Sequence, residues 1–183
     1  MIDAFDLSNV SKSGAKFDFD KGKWFNQVYL RGMSEEKLDG ALKTELNSRG
    51  LDCDDKHLGT VAMMMSERAT FPKDLVSEGL FLFERPTTYD EKTLKKKWTA
   101  DSPQMMADLA IRLRALGTFD ADSIETSFKG YLTEKELGFG KVGPSFRLAV
   151  TGKGMGPSMF TICEVLGKEE VLARISLAIE TLK

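Results

Sequence analysis

Histidine is almost absent: His57 is the only one in 183 residues. A histidine-rich zinc site is therefore impossible, and a mixed one lacks a cysteine close to His57 in sequence. A catalytic triad would also need an activated nucleophile, and no GxSxG elbow or cysteine motif is present. His57 reads as a satisfied or solvent-facing residue. The two cysteines, Cys53 and Cys163, lie far apart and share no metal-type spacing. With no signal-peptide n-region in the acidic Met1-Ile2-Asp3-Ala4-Phe5-Asp6, they read as reduced thiols of a cytoplasmic protein. No apolar run approaches the ~18 residues that a membrane span requires, so no membrane is expected. Positive charge is not in excess either. The net charge of -2 and pI near 5.6 give no bulk attraction to nucleic acid, so any such binding would depend on a local basic face.

What is present is amphipathic helix. Ser34 is an N-cap candidate, with Glu35 and Glu36 where the helix dipole favours carboxylates. Leu38, Ala41, Leu42 and Leu46 follow at helical spacing, and Gly50 supplies the stop. Asp54 or Asp55 caps a second helix with Leu58, Val61, Ala62, Met65 and Ala69 on one stripe. Pro72 opens a third, with Leu75, Val76, Leu80 and Phe83 inward. A break at Arg85-Pro86-Thr87-Thr88-Tyr89 marks a subdomain boundary. Beyond it, Ser102-Pro103 reads as an N-cap followed by proline at the first helical position. Asp122 or Ser123 starts the next helix, and Thr133-Glu134-Lys135-Glu136 spells a capping box. A glycine-rich hinge spans Gly138 to Phe160, within which "SFRLAVTG" is the one candidate strand. Two helices close the chain, the last with Val171, Leu172, Ile175, Ala178, Ile179 and Leu182 inward. The expected class is all-α, two helical bundles in tandem.

Three motifs bear on chemistry. "TGKGMGP" (Thr151 to Pro157) is glycine-rich but does not fit GxxxxGK[ST], and no βαβ context precedes it. It reads instead as a loop whose small residues let backbone approach a ligand, ahead of a helix start near Ser158. Arg147 and Met159 would flank a surface able to hold a splayed base. The cluster "KTLKKKW" reads as a solvated face or as phosphate-contacting lysines, with Trp98 in the core. Val10-Ser11-Lys12-Ser13 spells much of the KMSKS loop of class I aminoacyl-tRNA synthetases. That loop works beside a Rossmann sheet holding ATP, and no parallel βα pattern precedes it.

The stretch "IDAFDLSNVSKSGAKFDFDKGKWFNQVYLR" resembles a segment of bacterial glutamyl-tRNA synthetases that follows their catalytic half. "PSFRLAVTGKGMGPSMFTICEVLGKEEVLARISLAIETL" resembles the C-terminal end of that family, and "SERATFPKDL" and "FLFERPTTYD" resemble it more loosely. The resemblance spans essentially the whole chain. It implies the anticodon-binding portion of a glutamate–tRNA ligase without its catalytic portion. Residues 1–84 would complete the stem-contact region and form a first anticodon-binding bundle, and residues 85–183 would form the second. The partners implied are tRNA(Glu), whose second and third anticodon bases are U and C, and the catalytic half of the same enzyme. ATP with Mg is expected for the full-length ligase. No cofactor or metal is expected in this chain, which alone should be catalytically inactive. Carried over residue by residue, Arg147, Gly156 and Met159 align with anticodon-contacting positions, and Arg68 with the arginine that reads the third base. Gly156 stands where a member of that family carries threonine, so here only its backbone can act. Met159 would pack on a base face. Lys12, Lys95, Lys96 and Lys97 are candidates for RNA-backbone contact. Two other classes stay open: a freestanding helical protein-interaction module, and a nucleotide-dependent transferase using "GKGMG" as a phosphate loop.

Overall fold

The computed structural model describes residues 18–182, which form ten α-helices and no strand. The synthetase-like letters around Lys12 lie outside the described residues.

Helix α1 (Phe19–Arg31) starts at Asp18, whose carboxylate accepts from the backbone N–H groups of Asp20 and Lys21. Helix α2 (Glu35–Arg49) buries Leu38, Leu42 and Leu46 and ends at Gly50 in the left-handed conformation. Ser34 occupies the N-cap position without a side-chain capping bond. In α3 (Asp55–Ser66), Asp54 caps through Lys56 N–H, and the stripe Leu58, Val61, Ala62 and Met65 is buried as its spacing predicts.

The third helix departs from expectation. Asp74 accepts from the N–H groups of Thr70 and Phe71, and α4 (Asp74–Ser77) is a single turn. A 3₁₀ turn, Leu80–Leu82, follows. The change from 3.6 to about 3 residues per turn shifts the phase. Phe81 and Leu82 therefore turn inward, and Leu80 is exposed.

The second half is built from α5 (Glu91–Lys97), α6 (Ser102–Arg114), α7 (Ala121–Glu134), α8 (Phe139–Thr151), α9 (Met159–Leu166) and α10 (Lys168–Thr181). Several caps sit elsewhere than expected. Asp101, not Ser102, is the N-cap of α6; Ser102 is fully buried and its Oγ accepts from Thr99 N–H at 2.8 Å. Asp120 caps α7 through Ser123 N–H. The predicted capping box is a helix end: Thr133 Oγ donates back to Lys129 O, and Glu136 turns left-handed at φ 53°. The largest correction is α8. The first part of the expected hinge and nearly all of the strand candidate form one helix, with Pro144 inside it, while residues 152–158 remain a loop. Proline removes one N–H, whose helical acceptor would be the carbonyl of the exposed Gly140, open to water. Phe146, Leu148, Ala149 and Val150 are all buried, because α5, α6 and α10 pack around α8.

Helices α1 to α4 pack on one another through α3 and α2, and α5 to α10 pack around α8 and α10. The two sets meet where α9 touches α3 and the 3₁₀ turn. Arg174 of α10, only 2% exposed, ties this junction. It donates to Phe81 O, Glu84 O and Val150 O, and its Nε donates to Glu170.

Gly152 ends α8 at φ +71°, with its carbonyl accepting from Asp90 N–H at 2.8 Å. A Cβ there would stand 2.6 Å from the carbonyl oxygen of Thr88. Gly50 has a similar φ of +66° and open space around it. Gly50→Ala should cost about 1 kcal/mol of stability, the left-handed penalty alone. Gly152→Ala should cost at least twice that, about 2–4 kcal/mol, since backbone must also move. Urea denaturation of the two variants checks the ratio.

Candidate nucleic-acid interface

Arg68 follows the end of α3, Arg147 lies in the third turn of α8, and Gly156 lies in the loop between α8 and α9. Arg68, distant in sequence from the other two, converges with them. Arg68 Nη2 donates to Gly156 O at 2.9 Å across 88 residues. A Cβ placed on Gly156 would stand 3.0 Å from Arg147 Nη1. The peptide before Arg68 is fixed from α1, where Arg31 Nη2 donates to Glu67 O at 2.6 Å. The junction of the two helix sets thus holds Arg68 on the Gly156 carbonyl and Arg147 beside the same residue.

Arg147 is the unusual member. It is half-buried, and its Nη1 is enclosed yet has no protein hydrogen-bond partner. Burial pulls its pKa below the ordinary arginine value, and the neighbouring Arg68 charge adds to that. A desolvated donor beside a like charge costs stability unless an acceptor arrives. The Cys163 thiol, fully buried and pushed up to about 12 chiefly by burial, is an inert core group rather than that acceptor.

Beside these residues runs a groove of about 780 Å³ between α3 and α9. Thr60, Met63 and Arg68 line one wall; Gly156, Pro157, Ser158 and Thr161 line the other. Met63 is 48% exposed, an apolar surface suited to a base face. Lys56 adds positive charge, and Glu35 and Glu67 oppose it. The groove is therefore selective ground for polar donors and acceptors rather than a strong anion trap.

Met159 is placed otherwise than expected. As the first residue of α9 it is 3% exposed and belongs to the core. Its side chain cannot lie against a base in this arrangement; it anchors α9 so that Pro157 and Ser158 face the groove. The position is apolar for packing, and sequence alone cannot tell that from a stacking role.

The basic cluster divides. Lys95 Nζ pairs with Glu91 at 3.4 Å. Lys96 and Lys97 instead join Lys92, Lys153 and Met155 around a second cavity. Trp98 is half-buried and its Nε1 donates to Leu182 O. His57 lies away from the groove, in a separate cleft with Phe119 and Glu164.

Sequence reasoning missed Met63 and Thr60 on the outward side of α3, and Arg174. The first two sit one turn apart opposite a recognised apolar stripe. Nothing local distinguishes Arg174 from a surface arginine at helical spacing.

The family model described as "Anticodon binding domain" matches residues 32–179. Over 183 residues the chain is 43% identical to a glutamate–tRNA ligase of Phocaeicola vulgatus and 41% identical to one of Bacteroides fragilis. All of this chain is covered in both, but only 36% of each relative. The crystal structure of a glutamate tRNA ligase from Elizabethkingia meningosepticum, in complex with its amino acid, matches with a TM-score of 0.91 at 39% identity. That match covers 98% of this chain and 36% of that one. The chain therefore spans little more than a third of the length of these relatives.

Proposed function

The chain belongs to the anticodon binding domain family, and from that premise we propose that it is the anticodon-reading portion of a glutamate–tRNA ligase. Its RNA is tRNA(Glu), and residues 1–84 and 85–183 act as two bundles that meet at the reading site. The packing of α1–α4 apart from α5–α10 supports that division. The ligation chemistry, using ATP with Mg, belongs to the catalytic half of the enzyme, in the cytoplasm. Among the described residues no helix is long and apolar enough to cross a membrane.

The carrying observation is the convergence of Arg68, Gly156 and Arg147. Gly156 acts through its backbone. Its carbonyl takes one Arg68 N–H and so orients the guanidinium fork, leaving other donors toward the groove. Cytosine presents O2 and N3 as acceptors on its Watson–Crick edge, and both match that fork. Guanine presents N1–H and N2–H₂ donors, which repel it. A C at the third anticodon position means glutamate and a G means glutamine, so Arg68 would exclude tRNA(Gln). Arg147 supplies a second donor whose partner arrives with the RNA. The role of Met159 is to hold α9, and Lys12 remains a candidate for backbone contact.

Titrating the chain with a tRNA(Glu) anticodon stem-loop at two salt concentrations tests this. Binding should be modest and weaken steeply with salt, because local cations displace counterions. A folded chain that does not bind, or binds with no salt dependence, would contradict the proposal; the second result would favour a protein-docking module. Glutamate-dependent pyrophosphate exchange by the chain alone should be absent.

A further inference from the structure

The loop 152–156 runs between two cavities. Gly156 lines the groove with Arg68, and Gly154 and Met155, just before it, line the second cavity, of about 400 Å³. Met155 lines only the second cavity, directly precedes Gly156 in the chain and is 83% exposed. The loop is pressed onto α5: a Cβ on Gly154 would lie 2.0 Å from Thr93 Oγ1. This close approach brings Lys153 to the same cavity as Lys92, Lys96 and Lys97. All four lysines are exposed, and none makes an ion pair among the described residues. The single carboxylate lining the cavity, Asp90, is engaged by Thr93 N–H at 2.7 Å. Thr93 holds its carboxyl below the usual range, helped by the charges of Lys92 and Lys153. Four cations thus face one committed anion, in a chain whose net charge is -2. That concentration of unpaired positive charge, continuous along one loop with the reading groove, suits a polyanion extending out of the groove.

We propose that this lysine-lined cavity carries the phosphodiester backbone of the RNA strand flanking the anticodon bases, with Met155 as the apolar saddle under the nucleotide that crosses between cavities. This rests on the anticodon reading. It also separates Lys96 and Lys97, which contact the strand, from Lys95, which does not.

The test compares the chain with its Lys96→Ala/Lys153→Ala double variant. Two probes are used: an anticodon stem-loop, and the bare trinucleotide of the same three bases. For the stem-loop, affinity at low salt should fall about tenfold or more, and the slope of log affinity against log salt should decrease by about 2. Trinucleotide affinity should stay the same, as should the slope for Lys95→Ala. A second pair, Lys92→Ala/Lys97→Ala, should behave like the first and guards against a folding artefact, which circular dichroism checks. An unchanged slope in both folded double variants overturns the proposal. So does an equal loss for the trinucleotide. ATP displacing the stem-loop at constant ionic strength would mark the cavity as a free-phosphate site and overturn it too. If the parent chain fails to bind the stem-loop, the anticodon reading itself fails; if it binds and only the lysine variants are silent, the failure is confined to this cavity.

Discussion

Replacing Arg174 with alanine should cost about 3–5 kcal/mol of stability, the range for breaking a buried charge network by removing one member. Three carbonyl oxygens, of Phe81, Glu84 and Val150, lose their donor, at distances now of 2.6 to 3.2 Å. Glu170 loses one of its two arginine partners and keeps Arg85, which donates to both of its carboxylate oxygens, at 2.7 Å in the shortest contact. Arg174→Lys should recover less than half, because one ammonium cannot reach the directions that a planar guanidinium serves at once. Urea denaturation measures both. The network also predicts a pH dependence. Hydrogen bonding from Arg85, and then from Arg174, holds the Glu170 carboxyl below the ordinary range, against the opposing effect of burial. A depressed carboxylate stabilises the fold above its unfolded value of about 4.3, and this contribution is lost as pH falls through the lower folded value. Stability should therefore drop as pH falls from about 5 toward 3, and Glu170→Gln should flatten that drop.

Arg147→Met should weaken binding of the cognate stem-loop by about 1–3 kcal/mol, while leaving the free protein as stable as before or more so. The sign of the second effect is the informative part. Methionine keeps most of the buried stem, so packing is retained. It removes an enclosed donor that has no protein partner and a charge beside Arg68. A merely structural arginine would behave as Arg174 does, and its loss would destabilise the fold. Affinity lost together with stability would place Arg147 in the scaffold instead.

Sequence carried α2 and α3 well, for a physical reason. In α2 and α3 the apolar spacing, caps and glycine stop agree, and tertiary packing had nothing to override. Helix α8 was hidden because local and global preferences conflict. Gly140, Gly143 and Pro144 lower helix propensity, and Phe146, Val150 and Thr151 favour strand. Burial on nearly every side of α8 outweighs them, and such burial comes from helices distant in sequence. Leu80 went wrong through a phase change that periodicity assumes away. The family resemblance supplied candidate residues for the site and no geometry. No spacing announces that Arg68 reaches a carbonyl 88 residues away, nor that Met159 turns inward while Met155 turns out. Arg174 was illegible because a buried arginine differs from an exposed one only in what folds over it.

Reading by Arg68 is tested most directly with paired anticodon stem-loops that differ only in C or G at the third base. The parent chain should prefer C by about 1–3 kcal/mol, the usual worth of a specific base contact. In folded Arg68→Gln this preference should shrink to a few-fold, because glutamine carries both a donor and an acceptor and satisfies either edge. If folded Arg68→Gln discriminates C from G as well as the parent does, Arg68 is not the reader, and the groove beside Gly156 is not where the third base is read.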